Sequence, residues 1–413
     1  MKRCLQAAAI AIVAAWTGIA VAGAQEPIKI GFGMSLTGGT SGGGKAALLA
    51  LTMWSEDINA KGGLLGRPVK LVYYDDQSNP ANVPGIYVKL LDVDKVDLVI
   101  SAYGSNVTVP AMPIVMQRNL LFMSLFAVAV SDQFHYDKYF QISPTGPDPK
   151  AAFSEGFLQI AMQMNPKPKT IALVGADAEF SQTALAGARE SAKKYGLQIV
   201  YDRNYPPTTV DYAPIIRGIQ AANPDVVFVG SYPPDSVGMI RAANEVGLKT
   251  RMFGGGMIGV QFAAVKAQLG PLLNGAVVYD TYEPALVFPG VHDFLARYQA
   301  RAAAQGVDVL GYYIPPYAYA QMQILEQAIR TVGSLDQDKL GKYIHATAFK
   351  TIVGDVKFGP EGEWEKTRVL FTQFQNIAGN DVNQFKDPKK AVILYPPEYK
   401  SGEFAYPYAD IKK

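Results

Sequence analysis

Residues 38 to 46 read GGTSGGGKA, a stretch that comes close to two reactive templates at once. From Gly39 to Lys45 the spacing is G-x-x-x-x-G-K, in which backbone amides cradle phosphates and the lysine neutralises them. That chemistry needs a metal-ligating hydroxyl after the lysine, and Ala46 supplies none; Asp75 would have to serve as a strand-end acid for magnesium. From Gly39 to Gly43 the spacing is also G-x-S-x-G, the elbow that presents a nucleophilic serine. Ser41 would then need an acid and a base, with His292 or His345 as candidates. An elbow requires a sharp strand–turn–helix with serine at its apex, whereas Ser41 falls several residues past the first expected strand. A secreted hydrolase using Ser41 is therefore the weaker alternative, and no catalytic residue is expected.

Other reactive groups are sparse. His135, His292 and His345 lie far apart, without HxxxH or HExxH spacing, so no metal site is expected. The single cysteine, Cys4, leaves no thiol in the rest of the chain for a disulfide, a zinc-thiolate site or a nucleophile. No cofactor is expected. Cys4 itself falls in a segment with a leader's features: Lys2 and Arg3, then the apolar run AAAIAIVAAW, then Ala22-Gly23-Ala24 as a small-x-small cleavage site. Cleavage after about Ala24 and a periplasmic location are the expectation. The run is too short to span a bilayer and nothing later resembles a span, so no membrane insertion is expected.

Composition narrows the partners. Of the 413 residues, 49% are hydrophobic and 18% charged, which suits a packed globular chain. Without Lys2 and Arg3, the 38 basic and 36 acidic residues come level. That balance gives no electrostatic reason for nucleic acid as a partner, and a monomer is expected.

The elements that must position any site alternate in type. Strands are expected at 28–34, 69–76, 96–102 and 120–126, with helices at 45–60, 83–94 and 106–118; Pro110 and Pro113 either sit in the first two turns of the last helix or split it. After the Pro/Gly-rich stretch SPTGPDPK the pattern restarts. Helices at 151–163, 180–195, 211–221 and 235–246 alternate with strands at 170–175, 198–205, 224–231 and 251–255. Long helices at 290–304 and 315–332 follow, then strands at 356–359 and 369–377. The fold class is α/β, two doubly wound open-sheet units. The Tyr/Pro-rich tail from 386 carries no readable period. Ligands of such sheets bind beyond the carboxyl ends of the strands, and two such edges facing each other form a cleft that can close.

Several ordered segments carry a resemblance. IKIGFGMSLTG, ALTMWSEDINAKGGLLGRPVKLVYYDDQSNP, SNVTVPA, VDYAPIIRGIQAANPDVVFVGSY, PPYAYAQMQILEQAI and GDVKFGPEGE are similar to stretches of the periplasmic leucine/isoleucine/valine-binding proteins, the type I solute-binding receptors of ABC importers. The resemblance runs through nearly the whole mature chain. It implies two lobes joined by three hinge strands, 26–142 plus 283–350 and 143–282 plus 351–413. It also implies a small-molecule ligand in the interlobe cleft and a membrane permease as partner. A sensor of the same fold that signals to a membrane receptor is the alternative.

Within that resemblance, Ser105 falls where the family binds the ligand carboxylate, while Tyr232 and Phe180 fall at ligand-facing aromatic positions. Tyr103 and Phe126 end first-lobe strands and are candidate cavity walls, with Asn106, Ala127 and Met257 as neighbouring candidates. Two departures bear on the ligand. The threonine and glutamate that hold an amino acid's ammonium align with Val128 and Gly256. A buried ammonium without its counter-charge costs several kcal/mol by order of magnitude, so the expected ligand is a small carboxylate, amino-acid-like or aromatic. Asp148 or Glu283 would rescue the ammonium if either pointed into the cleft. Near Gly43 some relatives carry a large aromatic, so glycines 42 to 44 are expected to enlarge the cavity.

Overall fold

The computed structural model describes residues 25–128 and 130–411; the leader expected at 1–24 lies outside them. Five parallel strands form the first sheet: β1 (Ile28–Met34), β2 (Val69–Asp75), β3 (Leu98–Tyr103), β4 (Phe122–Leu125) and β5 (Tyr139–Gln141). Their order is β2-β1-β3-β4-β5. β1 is an interior strand buried at every residue but Lys29, which explains why IKIGFGM is otherwise free of charge. β2 at the edge is more exposed.

A second sheet repeats this winding. It comprises β6 (Thr170–Ala176), β7 (Gln198–Tyr205), β8 (Val226–Gly230), β9 (Met252–Gly255) and β10 (Val277–Asp280), parallel in the order β7-β6-β8-β9-β10. A separate antiparallel hairpin, β11 (Ala348–Thr351) with β12 (Gly354–Lys357), is bonded to Gln323 and Gln327. Two further strands, β13 (Leu370–Phe374) and β14 (Ala391–Tyr395), then extend the second sheet antiparallel from β10. The expected division at 350/351 falls inside the β11–β12 hairpin. β14 lies in the tail for which the sequence offered no period. AVILY is a short run buried at every residue but Tyr395, and such a run carries neither helical nor alternating signal. β5 and β10 are equally short and went unread, as did the helix Gln337–Ala346.

The long helices return to the first sheet. The helix Pro315–Val332 starts with proline at its first position and ends at Gly333 in the left-handed conformation. Its Gln321 Nε2 donates to Met123 O of β4 at 2.7 Å. Around Pro110 and Pro113 the expected single helix divides into Ser105–Thr108, a 3-10 turn Val109–Ala111, and Met112–Gln117. Each proline lacks the N–H that would continue the ladder.

The first helix differs from expectation. It begins at Ser41, so GGGK forms its first turn rather than a loop. A Cβ on Gly44 would stand 2.0 Å from Ser35 O, so only glycine lets this turn cross the end of β1 so closely.

Backbone bonds tie the crossing segments between the sheets. Gln141 N–H donates to Gly362 O and Arg368 N–H to Pro144 O, each at 2.8 Å. A third crossing follows β10, where Tyr317 Oη donates to Thr281 O at 3.0 Å.

Candidate ligand cavity between the sheets

Each sheet reverses its winding direction once, between β1 and β3 and between β6 and β8. Loops leaving the carboxyl ends of neighbouring strands diverge there, opening a crevice. The two crevices face each other across a shared cavity that is partly open to solvent. Thr40 follows β1, Tyr103 and Ser105 come from the end of β3, and Phe126 and Val128 follow β4. From the other side come Phe180 after β6, Tyr232 after β8 and Ile258 after β9.

Aromatic rings make both walls. Tyr313 anchors the first, with its ring centre 4.9 Å from Phe126 and 6.4 Å from Tyr103, both edge-on. Phe126 holds a left-handed backbone (φ 57°), a conformation rare outside glycine and asparagine that turns its ring onto Tyr313 and Tyr317. On the facing wall Phe180 lies 5.7 Å from Tyr232 and 5.1 Å from Phe153. No Asp, Glu, Lys, Arg or His lines this cavity among the described residues.

Ser105 has a defined hydrogen-bond polarity. Its Oγ accepts the Val128 N–H at 2.9 Å, so its own proton remains to donate. A hydroxyl arranged this way meets an acceptor such as a carboxylate oxygen. Burial pushes the Tyr103 phenol well above its ordinary value, so it stays a neutral hydroxyl. That hydroxyl is buried without a well-formed hydrogen bond. Tyr232 is differently committed. Its Oη donates to Asn106 Oδ1 at 2.9 Å and accepts the Phe180 N–H at 3.2 Å. Asn106 follows β3 of the first sheet and Tyr232 follows β8 of the second, so this bond spans the cavity between the sheets. Asp235 orients Tyr232 by accepting its backbone N–H at 2.7 Å and the Tyr205 hydroxyl at 2.5 Å. Burial raises the Asp235 carboxyl to about 6.

Of the residues singled out from sequence, Tyr103, Ser105, Asn106, Phe126, Val128, Phe180 and Tyr232 line the cavity. Three do not. Ala127 packs instead into a buried cluster with Phe122, Val130 and Tyr139. Gly256 lies behind the Phe180 ring, 3.6 Å from a Cβ built there, and Met257 is fully buried. Neither rescue acid lines the cavity. Asp148 is exposed and accepts the Ala151 N–H at 3.0 Å. Glu283 is buried, and burial together with neighbouring Asp280 pushes its carboxyl far up. Among the lining residues that were missed are Thr40, Ser78, Phe153, Ile258 and Tyr313. They are distant in sequence, and only the fold brings them together.

The opening motif contributes one residue to this wall, Thr40, whose hydroxyl donates to Ser78 Oγ at 2.9 Å. Lys45 is exposed, and no hydrogen bond joins Ser41 to a histidine among the described residues. Asp75 is spent on the loop, accepting the N–H groups of Leu36, Thr37 and Gln77. The space that Gly43 leaves is filled by the protein itself. A Cβ there would lie 2.5 Å from the Tyr103 ring, so the glycine is a slot for that tyrosine rather than added room for ligand.

Comparison with known proteins agrees with this geometry. The profile of the periplasmic binding proteins matches residues 27–376. Leu/Ile/Val-binding protein homolog 7 of Brucella abortus is 25% identical, with 97% of this chain and 98% of that protein covered. A leucine-binding protein from Thermotoga maritima superposes with a TM-score of 0.73 at 19% identity, covering 84% of this chain and 96% of that one. A solute-binding protein of an ABC transporter from R. palustris, in complex with benzoate, gives 0.73 at 19%, covering 89% and 95%. With a match over most of its length and both sheets wound in the same order, the chain belongs to the periplasmic binding protein family, type I.

Proposed function

We propose that this protein is the periplasmic solute receptor of an ABC importer and that it binds a small aromatic carboxylate by closing its two lobes. The observation that carries this reading is a cavity walled by six aromatic rings, with no charged side chain, in which the Ser105 proton is left to donate. An α-ammonium would enter such a site without a counter-charge, whereas an aromatic ring would pack edge-on among the walls. Closure would rest on lobes 26–142 plus 283–350 and 143–282 plus 351–413, with the return into the second lobe shifted past the β11–β12 hairpin to the segment that holds Gly362 and Arg368. Ser105, with Tyr103, Asn106, Phe126, Val128, Phe180 and Tyr232, would form the binding site, and a membrane permease would receive the solute. The family's members bind solutes rather than catalyse reactions.

The test is a thermal-shift screen of amino acids, benzoate- and cinnamate-type acids and aromatic amides, because a ligand of the folded form raises the melting temperature by mass action. The expected hit is an aromatic acid whose affinity falls roughly 10- to 100-fold in Ser105→Ala, the loss of one hydrogen bond to a charged group. Affinity unchanged in Ser105→Ala would remove the carboxylate anchor.

A further inference from the structure

Beside the ligand cavity a second interlobe groove is lined by Gly42, Lys45, Pro233, Val265 and Asp308. Asp308 sits in the connection between the helices Val291–Ala302 and Pro315–Val332. That connection is fastened to the first lobe: Gln299 Nε2 donates to Leu310 O at 2.9 Å, and Gly311 packs on the Tyr298 ring. The two carboxylate oxygens of Asp308 have separate duties. Oδ1 accepts the N–H groups of Leu310 at 3.0 Å and Gly311 at 2.7 Å, closing its own loop. Oδ2 crosses to the other lobe and accepts the Ala263 N–H at 2.6 Å. The adjoining Phe262 ring meets Tyr313 edge-on at 5.6 Å, so a polar and an apolar contact span the gap together.

From this placement we infer that Asp308 is a closure latch, a positioning residue that sets ligand affinity without touching ligand. The inference rests on the closure reading above. A contact made only in the closed form favours that form, and apparent affinity scales with the closed fraction. Losing the latch therefore weakens every ligand by one common factor, whereas losing a cavity contact discriminates among ligands.

Two variants break the contact from opposite sides. Ala263→Pro removes the donor at the first position of the helix Ala263–Leu269, where proline is tolerated. The preceding Phe262 already has the extended backbone (φ −83°, ψ 136°) that a following proline requires. Asp308→Asn keeps Oδ1 for the loop and turns an amide N–H₂ toward the Ala263 N–H. Single-molecule energy transfer between dyes on the two lobes reads the closed-to-open ratio in ligand-free protein, and calorimetry reads Kd across the aromatic-acid panel. The expected result is a roughly tenfold fall in the closed-to-open ratio and a rise in Kd by one common factor for every ligand, roughly tenfold where the open form predominates without ligand, for loss of one charge-assisted hydrogen bond. Unchanged Kd and ratio in a variant that melts like wild type overturns the inference, as does a loss that differs widely between ligands. If no panel ligand binds, the aromatic-acid reading fails, and the ligand-free ratio alone decides the latch. A wild type with no closed fraction then counts against it.

Discussion

Gly42, Gly43 and Gly44 occupy three successive positions of one helical turn and meet three different surroundings. A Cβ on Gly42 meets nothing within 4 Å, on Gly43 it meets the Tyr103 ring at 2.5 Å, and on Gly44 the Ser35 carbonyl oxygen at 2.0 Å. Gly42→Ala is therefore expected to stabilise the chain by about 0.5–1 kcal/mol through helix propensity. Gly44→Ala drives against backbone and is expected to cost at least about 1–3 kcal/mol. Gly43→Ala pushes Tyr103 off its seat, so it should lower both melting temperature and ligand affinity; urea melts and calorimetry on the three variants check the ranking. In sequence this glycine run read as room for ligand, whereas two of the three glycines serve close approach between elements. What approaches could not be read, because Tyr103 and Ser35 reach the turn only through the order of the sheet. Ser105 was picked out through the family resemblance, and its place between a strand and a helix suits a hydroxyl that donates to an anion. Ser105→Ala also strips the buried Val128 N–H of its acceptor, so a modest loss of stability, about 1–2 kcal/mol, should accompany the loss of affinity.

One of the crossings between the two sheets, on which the proposed closure would turn, holds a buried acid. Glu363, 3% exposed, accepts the Ser131 hydroxyl from the first lobe at 2.6 Å and the Thr145 hydroxyl from the first crossing at 3.2 Å. Burial raises its carboxyl to about 8, and the negative charge of Asp132 adds to the shift. Asp132 is itself paired with Lys150 at 3.0 Å. The folded chain thus holds this proton up to about pH 8, while the unfolded chain releases it near the ordinary 4.5. Stability from this group is fully present below about pH 4.5, declines as pH rises toward 8, and is level beyond. Glu363→Gln mimics the protonated acid, so calorimetric melts should show a flatter pH profile between 5 and 8. Above pH 8 they should show a melting temperature higher than wild type by a few degrees. The crossings were hard to read in sequence. β5 and β10 are three and four residues long, too short for any period to register. The long helix Pro315–Val332, bounded by proline and glycine, was read to the residue.

For the whole molecule, the two doubly wound sheets were legible because each βα repeat carries a strong local pattern. The ligand cavity was half legible, since its residues lie at strand ends that the pattern locates. Tyr313 and Phe153 stayed hidden because they enter from connections outside the repeat. What the assembled cavity adds is a negative property: neither Asp148 nor Glu283 stands where an ammonium would need one. That is the central claim, and calorimetric titration of the mature chain with leucine and with benzoate- and cinnamate-type acids tests it most directly. Binding of an aromatic acid with a Kd in the micromolar range or below, and no heat from leucine, is the expected result. Micromolar binding of leucine with none of the aromatic acids would contradict it.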